Sequence, residues 1–387
     1  MKKILIVTHS YELNTSYSKL TRNLYSLFKK EYDIKIFSTI HHQPTLKEPH
    51  NYVVSPDKNK LYEGFIQTIN HFQPDIVFTF GDIWTLEFVY QAKIRHSFRW
   101  LAYLPVEGKD IPKIYRINDG QALDLQVMLD TIDYKVAYSQ FGKTELEKLT
   151  DIDTYIYHGV DTNIFQPLKI DRDEFFRSNG SYTNPKTFLF IGDNQLRKGI
   201  DLLIEAWEKY IKVCPNSLLI LYTQKISQWG WDLSKLITEK KLDKSILFIE
   251  GYNKTQGKTD NELAYLYNVA DCYISAARAE GFGMPILEAM SCGIPVIAPN
   301  FATPAEYCDM AIVNINKYCN LGKFGTQQTW CEVDTDRMAY FMQKINKSDG
   351  QGLTEKARQL DWKNLKHQWQ KAFKECLQKK NKIGGIV

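Results

Sequence analysis

The segment Lys3-Ile4-Leu5-Ile6-Val7-Thr8 is a nearly unbroken apolar run that closes on a small polar side chain. A half-buried strand alternates apolar and polar residues, whereas a continuous run needs cover on both faces, the setting of a parallel sheet between helical layers. Comparable runs recur at Asp33 to Ser38, Asp75 to Phe80, Phe98 to Leu104, Tyr134 to Ser139 and Thr154 to Tyr157. Helical candidates fall between them at Tyr17 to Lys30, Lys60 to His71, Trp84 to Lys93 and Gly142 to Leu149. Strand and helix alternate, so the first half is expected to be a doubly wound α/β sheet.

The alternation lapses between Asp161 and Lys186, where Pro167, Pro185 and polar residues cluster. It restarts with a strand at Lys186 to Gly192, a helix at Gly199 to Val213 and a strand at Ser217 to Tyr222. Strands at Ser245 to Glu250, Asp271 to Ser275, Ile294 to Ala298 and Ala311 to Ile315 follow, with helices at Glu262 to Asn268 and Met284 to Cys292. Thr335 to Asn346 and Thr354 to Leu377 are expected to be helical, the latter with Trp362, Leu365, Trp369 and Phe373 on one face, a stripe that should dock on a domain. A chain of 387 residues exceeds what one hydrophobic core usually serves. The expected organisation is a first Rossmann-like domain at 1–165, a linker at 166–185, a second Rossmann-like domain at 186–350 and C-terminal helices at 351–387 that pack back on the domains.

Composition narrows the function classes. A hydrophobic fraction of 44% and a charged fraction of 24% belong to a globular protein, and a formal charge of +4 without basic blocks gives no footprint for nucleic acid. The seven cysteines form no Cys-x-x-Cys pair, which fits reduced thiols and a cytoplasmic setting. The apolar run at the start is too short for a signal peptide, and nothing approaches a membrane-spanning length. His9, His41, His42 and His158 lack the spacing of metal ligands, and no nucleophile elbow supports a Ser-His-Asp triad, so neither a metal nor another cofactor is expected.

The run Ala279-Glu280-Gly281-Phe282-Gly283-Met284-Pro285-Ile286-Leu287-Glu288 sets an acid before a glycine loop and a second acid inside the helix that follows. Glycines let a ligand approach the main chain, Pro285 suits a first helical position, and a helix start favours phosphate. Glu280 and Glu288 would repel that phosphate, so they suit neutral hydroxyls; the alternative is that Glu288 is only an acid of the first helical turn. In Gly192-Asp193-Asn194-Gln195-Leu196-Arg197-Lys198-Gly199, adjacent basic residues meet a glycine at a helix start and can hold a diphosphate. Both loops leave the carboxyl ends of strands, where doubly wound sheets bind ligands.

These segments, in this order, resemble the donor-binding domain of retaining glycosyltransferases of family 4, which have the GT-B fold of two Rossmann-like domains facing across a cleft. His158-Gly159-Val160-Asp161, with Phe165 and Pro167, is similar to the stretch that joins the two domains in that family. The resemblance implies that Lys198, helped by Arg197, binds the donor diphosphate, that Glu280 contacts donor-sugar hydroxyls and Glu288 the ribose, and that Gly192, Gly281, Phe282, Gly283 and Met284 line the nucleotide. Glu107, in Tyr103-Leu104-Pro105-Val106-Glu107-Gly108, stands where some relatives place an Asp facing the transferred sugar. Asp193 replaces an Arg found in many relatives, and Asn14 to Ser18 replaces a glycine-rich turn.

The expected activity is retaining, metal-independent transfer of a hexose from a nucleotide-diphosphate sugar to the hydroxyl of a glycan, a lipid-linked acceptor or a small molecule. A lipid-linked acceptor would bring the first domain into peripheral contact with a membrane. The rival readings are a sugar-nucleotide epimerase on the same scaffold and a non-catalytic relative that binds nucleotide sugars.

Overall fold

The computed structural model describes residues 1–9, 11–40, 52–54, 60–116, 122–180, 182–253, 256–308, 312–319 and 328–382. His41, His42 and Ala311, all named above, lie outside them. The chain forms two compact units: Met1–Val106, Asp110–His158 and Trp362–Val387 make the first, Glu107–Lys109 and Gly159–Asp361 the second. The chain passes between units at His158 and Gly159, and the stretch 166–185, expected as linker, lies inside the second unit and carries a helix at Arg172–Ser178. Asp171 caps that helix by accepting from the Glu174 N–H, a local signal hidden among polar residues.

The first unit is a seven-stranded sheet in the order Tyr52–Val54, Tyr32–Ser38, Lys2–Thr8, Ile76–Phe80, Arg99–Leu104, Tyr134–Ala137, Thr154–Tyr155, with every pairing parallel. Ile4 to Val7 are buried, as a strand covered on both faces requires. The helix Ser16–Phe28 starts where Thr15 accepts from the Ser18 N–H, and Leu61–Phe72 stops where Gln73 turns left-handed at φ 51°. The expected helix at Thr354 to Leu377 is two helices, Leu353–Gln359 in the second unit and Trp362–Gln378 in the first. The break has a cause: the Leu360 carbonyl accepts from the Val160 N–H at 2.9 Å and the Asp361 carboxylate from the Thr162 hydroxyl at 2.5 Å, which holds the chain out of helical register. Trp362, Leu365, Trp369 and Phe373 are buried as one stripe, with the Trp369 and Phe373 rings against Phe78 at 5.3 and 5.5 Å.

The second unit is a six-stranded sheet, also parallel throughout, in the order Ile246–Phe248, Ser217–Tyr222, Lys186–Ile191, Cys272–Ile274, Val296–Pro299, Ile312–Val313. An antiparallel pair, Ile315–Cys319 with Trp330–Val333, follows; the sequence pattern had not predicted it. Chain order reverses between Lys186–Ile191 and Cys272–Ile274, adjacent strands that are followed by the two motif loops. Such a switch point is where open α/β sheets bind ligands.

Candidate active site

The strand Lys186–Ile191 ends at Gly192, and the loop continues to a single tight turn at Leu196–Lys198. Gly199 then sits at φ 62°, and a Cβ there would stand 1.9 Å from the Ala276 carbonyl oxygen, so no other residue fits this crossing of the loops. Asn194, fully buried, fixes the loop by donating to the Gln224 and Trp231 carbonyls at 3.1 and 2.7 Å and accepting from the Trp231 N–H at 3.0 Å. Gly192 donates its N–H to the Tyr222 carbonyl at 3.2 Å, so that amide is occupied by the sheet.

Arg197 and Lys198 turn toward the acidic loop. Lys198 Nζ donates to Glu280 Oε2 at 2.5 Å, and Arg197 Nη1 lies 3.6 Å from the same oxygen. Arg197 also donates to the Ala279 carbonyl at 3.1 Å, and its Nε stands 3.2 Å from Glu107 Oε1. Burial raises the Glu280 carboxyl, but the charges of Lys198 and Arg197, with the Gly283 N–H, prevail and hold it below its ordinary value. Two cations are thus balanced by two carboxylates at the switch point.

Gly283 is the N-cap of the helix Met284–Ser291 at φ 88°, and a Cβ on it would meet the Tyr307 hydroxyl at 2.9 Å. That hydroxyl donates to the Phe282 and Gly283 carbonyls at 2.8 and 2.9 Å, and the Phe282 and Tyr307 rings stack with centroids 5.1 Å apart. Thr303 donates to the Gly281 carbonyl at 2.8 Å. Met284 opens the helix, half-buried beside Pro285. Glu288 lies beyond the first helical turn, is 3% exposed, and accepts from the Tyr267 hydroxyl at 2.8 Å, so the reading of it as a helix-end decoration does not hold. Burial raises the Tyr273 and Tyr307 phenols, and the charges of Glu280 and Glu288 raise them further.

The structure therefore brings Arg197, Lys198, Glu280 and Glu107 together, with Gly283 beside them, while Phe282 packs inward on Tyr307. Gly192 lies alongside Lys198, whose Cδ would be 3.9 Å from a Cβ on that glycine. Asp193 accepts from Gln195 Nε2 at 2.8 Å. Tyr307, Thr303 and Tyr273 had gone unrecognised, because their roles depend on partners far away in sequence. His158 is a core residue of the first unit: it is hydrogen-bonded to the Tyr103 hydroxyl at 2.8 Å, and burial pulls its pKa down to about 3. Among the described residues no three His, Cys, Asp or Glu side chains are grouped as metal ligands, and no helix is long and apolar enough to cross a membrane.

Residues 171–318 match the family of glycosyl transferases group 1. The O-antigen chain mannosyltransferase B of Escherichia coli is 29% identical over 195 residues, 48% of this chain and 45% of the relative. The probable sucrose-phosphate synthase of Thermosipho melanesiensis is 29% identical over 158 residues, 39% of this chain and 33% of the relative. The matched part of the chain thus spans less than half the length of these relatives. Among solved structures, the sucrose-phosphate synthase of Thermosynechococcus elongatus superposes with a TM-score of 0.71 at 17% identity, covering 97% of this chain and 99% of that one. The Anabaena HepE protein in complex with UDP-glucose superposes with a TM-score of 0.72 at 16% identity, covering 97% and 100%. At such identities these likenesses establish the fold, two Rossmann-like domains of the GT-B type. The motif-bearing segment, residues 171–318, is thus similar to the glycosyl transferases group 1 family.

Proposed function

We propose that this protein transfers a hexose from a nucleotide-diphosphate sugar to the hydroxyl of a carbohydrate or lipid-linked acceptor, with retention at the anomeric carbon. The observation that carries the reading is the convergence of Lys198 and Arg197 on Glu280 Oε2 at 2.5 and 3.6 Å. A diphosphate entering there exchanges carboxylate for phosphate around the two cations, and Glu280 is released to accept from donor-sugar hydroxyls. Arg197 supplies a planar fork and Lys198 a compact charge, both in place before charge develops on the leaving phosphate. Glu288, fixed by Tyr267, takes the ribose, and the start of the Met284–Ser291 helix faces phosphate. HepE, a structural neighbour, was solved in complex with UDP-glucose, and UDP-glucose is the first donor to test.

In the transfer, the bond from the anomeric carbon to the diphosphate oxygen breaks and a bond to the acceptor oxygen forms on the same face. The acceptor proton passes to the departing diphosphate, so the protein need supply no base. The positive field comes from Arg197 and Lys198, and turnover is expected to persist in excess chelator. We place the reaction in the cytoplasm, in keeping with seven cysteines that form no Cys-x-x-Cys pair. The test is sugar-nucleotide turnover in wild type and Glu280→Gln, with product analysis with and without acceptor. Equal rates would refute the role of Glu280, and conversion without acceptor would indicate an epimerase.

A further inference from the structure

We propose that Arg278 is a positioning residue for the phosphate-binding pair, a buried clamp that sets Arg197 and Lys198 against Glu280. The proposal rests on the donor-binding reading above. Arg278 is 4% exposed, and its guanidinium is engaged by partners within the protein. Its N–H donates to the Arg197 carbonyl at 2.7 Å, and its Nη1 donates to the Leu196 carbonyl at 2.9 Å. The two successive peptide carbonyls that flank the Arg197 Cα are therefore held by one residue, immediately before Lys198.

The guanidinium is fixed in turn. It forms a two-pronged pair with Asp201 at 2.8 and 2.6 Å, and its Nε lies 3.5 Å from Glu332 Oε1. A planar fork between a carboxylate and a carbonyl is a geometry lysine cannot reproduce. The Arg278 carbonyl accepts from the Cys331 N–H at 2.9 Å, and the preceding Thr329 exchanges two backbone bonds with Lys109, at 2.9 and 2.8 Å. The segments that present Arg197 and Lys198, Glu280 and Glu107 thus all tie to Arg278 or to the strand it bonds. Asp201 is 77 positions from Arg278, so no local spacing announces the clamp.

A clamp that works through Lys198 and a residue that only stabilises the fold give different double-mutant cycles. Donor KM is measured in wild type, Arg278→Lys, Lys198→Ala and the double variant. The clamp predicts that Arg278→Lys raises donor KM about tenfold in wild type and less than about twofold when Lys198 is already absent, because misplacing a missing group costs nothing further. Equal increases in both backgrounds, or an unchanged donor KM with only a lowered Tm, would overturn it. If Arg278→Lys does not fold, Asp201→Asn, which leaves the arginine and removes half of its fork, is carried through the same cycle with the same expectations. UDP affinity, measured by calorimetry on these variants, keeps the two ideas apart. A wild type that binds UDP but transfers no sugar defeats the proposed activity, and the cycle in UDP affinity still decides the clamp.

Discussion

Lys198 and Glu280, 82 positions apart in sequence, share a hydrogen bond of 2.5 Å at the switch point of the second sheet. The carboxyl is held below its ordinary value of 4.5, against burial, by Lys198 and Arg197. An acid depressed on folding contributes stability that is complete above its unfolded pKa and is lost as pH falls through the folded one. Thermal unfolding between pH 6 and pH 3 should therefore show a loss below pH 4.5 that is smaller in Glu280→Gln. Parallel curves for the two proteins would count against the pair.

Gly199→Ala should be among the most damaging single substitutions in the second unit, because its Cβ would lie 1.9 Å from the Ala276 carbonyl oxygen. Forcing atoms into a packed site costs about 1–3 kcal/mol, to which left-handed backbone adds about 1 kcal/mol. Gly251 offers the control: it also has positive φ, 82°, but nothing lies within 4 Å of its Cβ position. Urea unfolding should show Gly199→Ala well below Gly251→Ala in stability.

His158 should stay neutral in the folded protein far below the usual histidine range, since burial lowers it from 6.5 to about 3. The unfolded chain takes up that proton below pH 6.5 and the native chain does not, so stability should fall by about 1.4 kcal/mol per pH unit from this group as pH drops toward 3. The imidazole signals, assigned by comparison with His158→Gln, should not shift between pH 8 and 5 in NMR.

Trp369→Ala should destabilise the first unit by about 3–5 kcal/mol through loss of a large buried ring. Trp369 is fully buried and meets Phe78 at 5.3 Å and Tyr103 at 4.8 Å between ring centroids. Differential scanning calorimetry should show the loss, and Trp369→Phe should recover part of it.

Much of this protein can be read without coordinates. Continuous apolar runs such as Ile4 to Val7 specify strands covered on both faces, because the spacing of apolar side chains reports burial directly. The Trp362, Leu365, Trp369 and Phe373 stripe likewise announces a docked face, and the glycines of the Gly192 to Gly199 and Glu280 to Glu288 segments announce loops at strand ends that lead into helices. Those signals are local: each depends on residues within a turn or two of one another. The break at Leu360 and Asp361 was hidden because its cause, Val160 and Thr162, lies about two hundred positions earlier. The pairing of Lys198 with Glu280, the occupation of Arg197 by Glu107, the burial of Glu288 against Tyr267 and the grip of Arg278 on the Leu196 and Arg197 carbonyls were decided by tertiary structure alone. Each is a contact between segments that become neighbours only when adjacent parallel strands bring their carboxyl ends together, and no periodicity along the chain encodes which distant side chains will meet there.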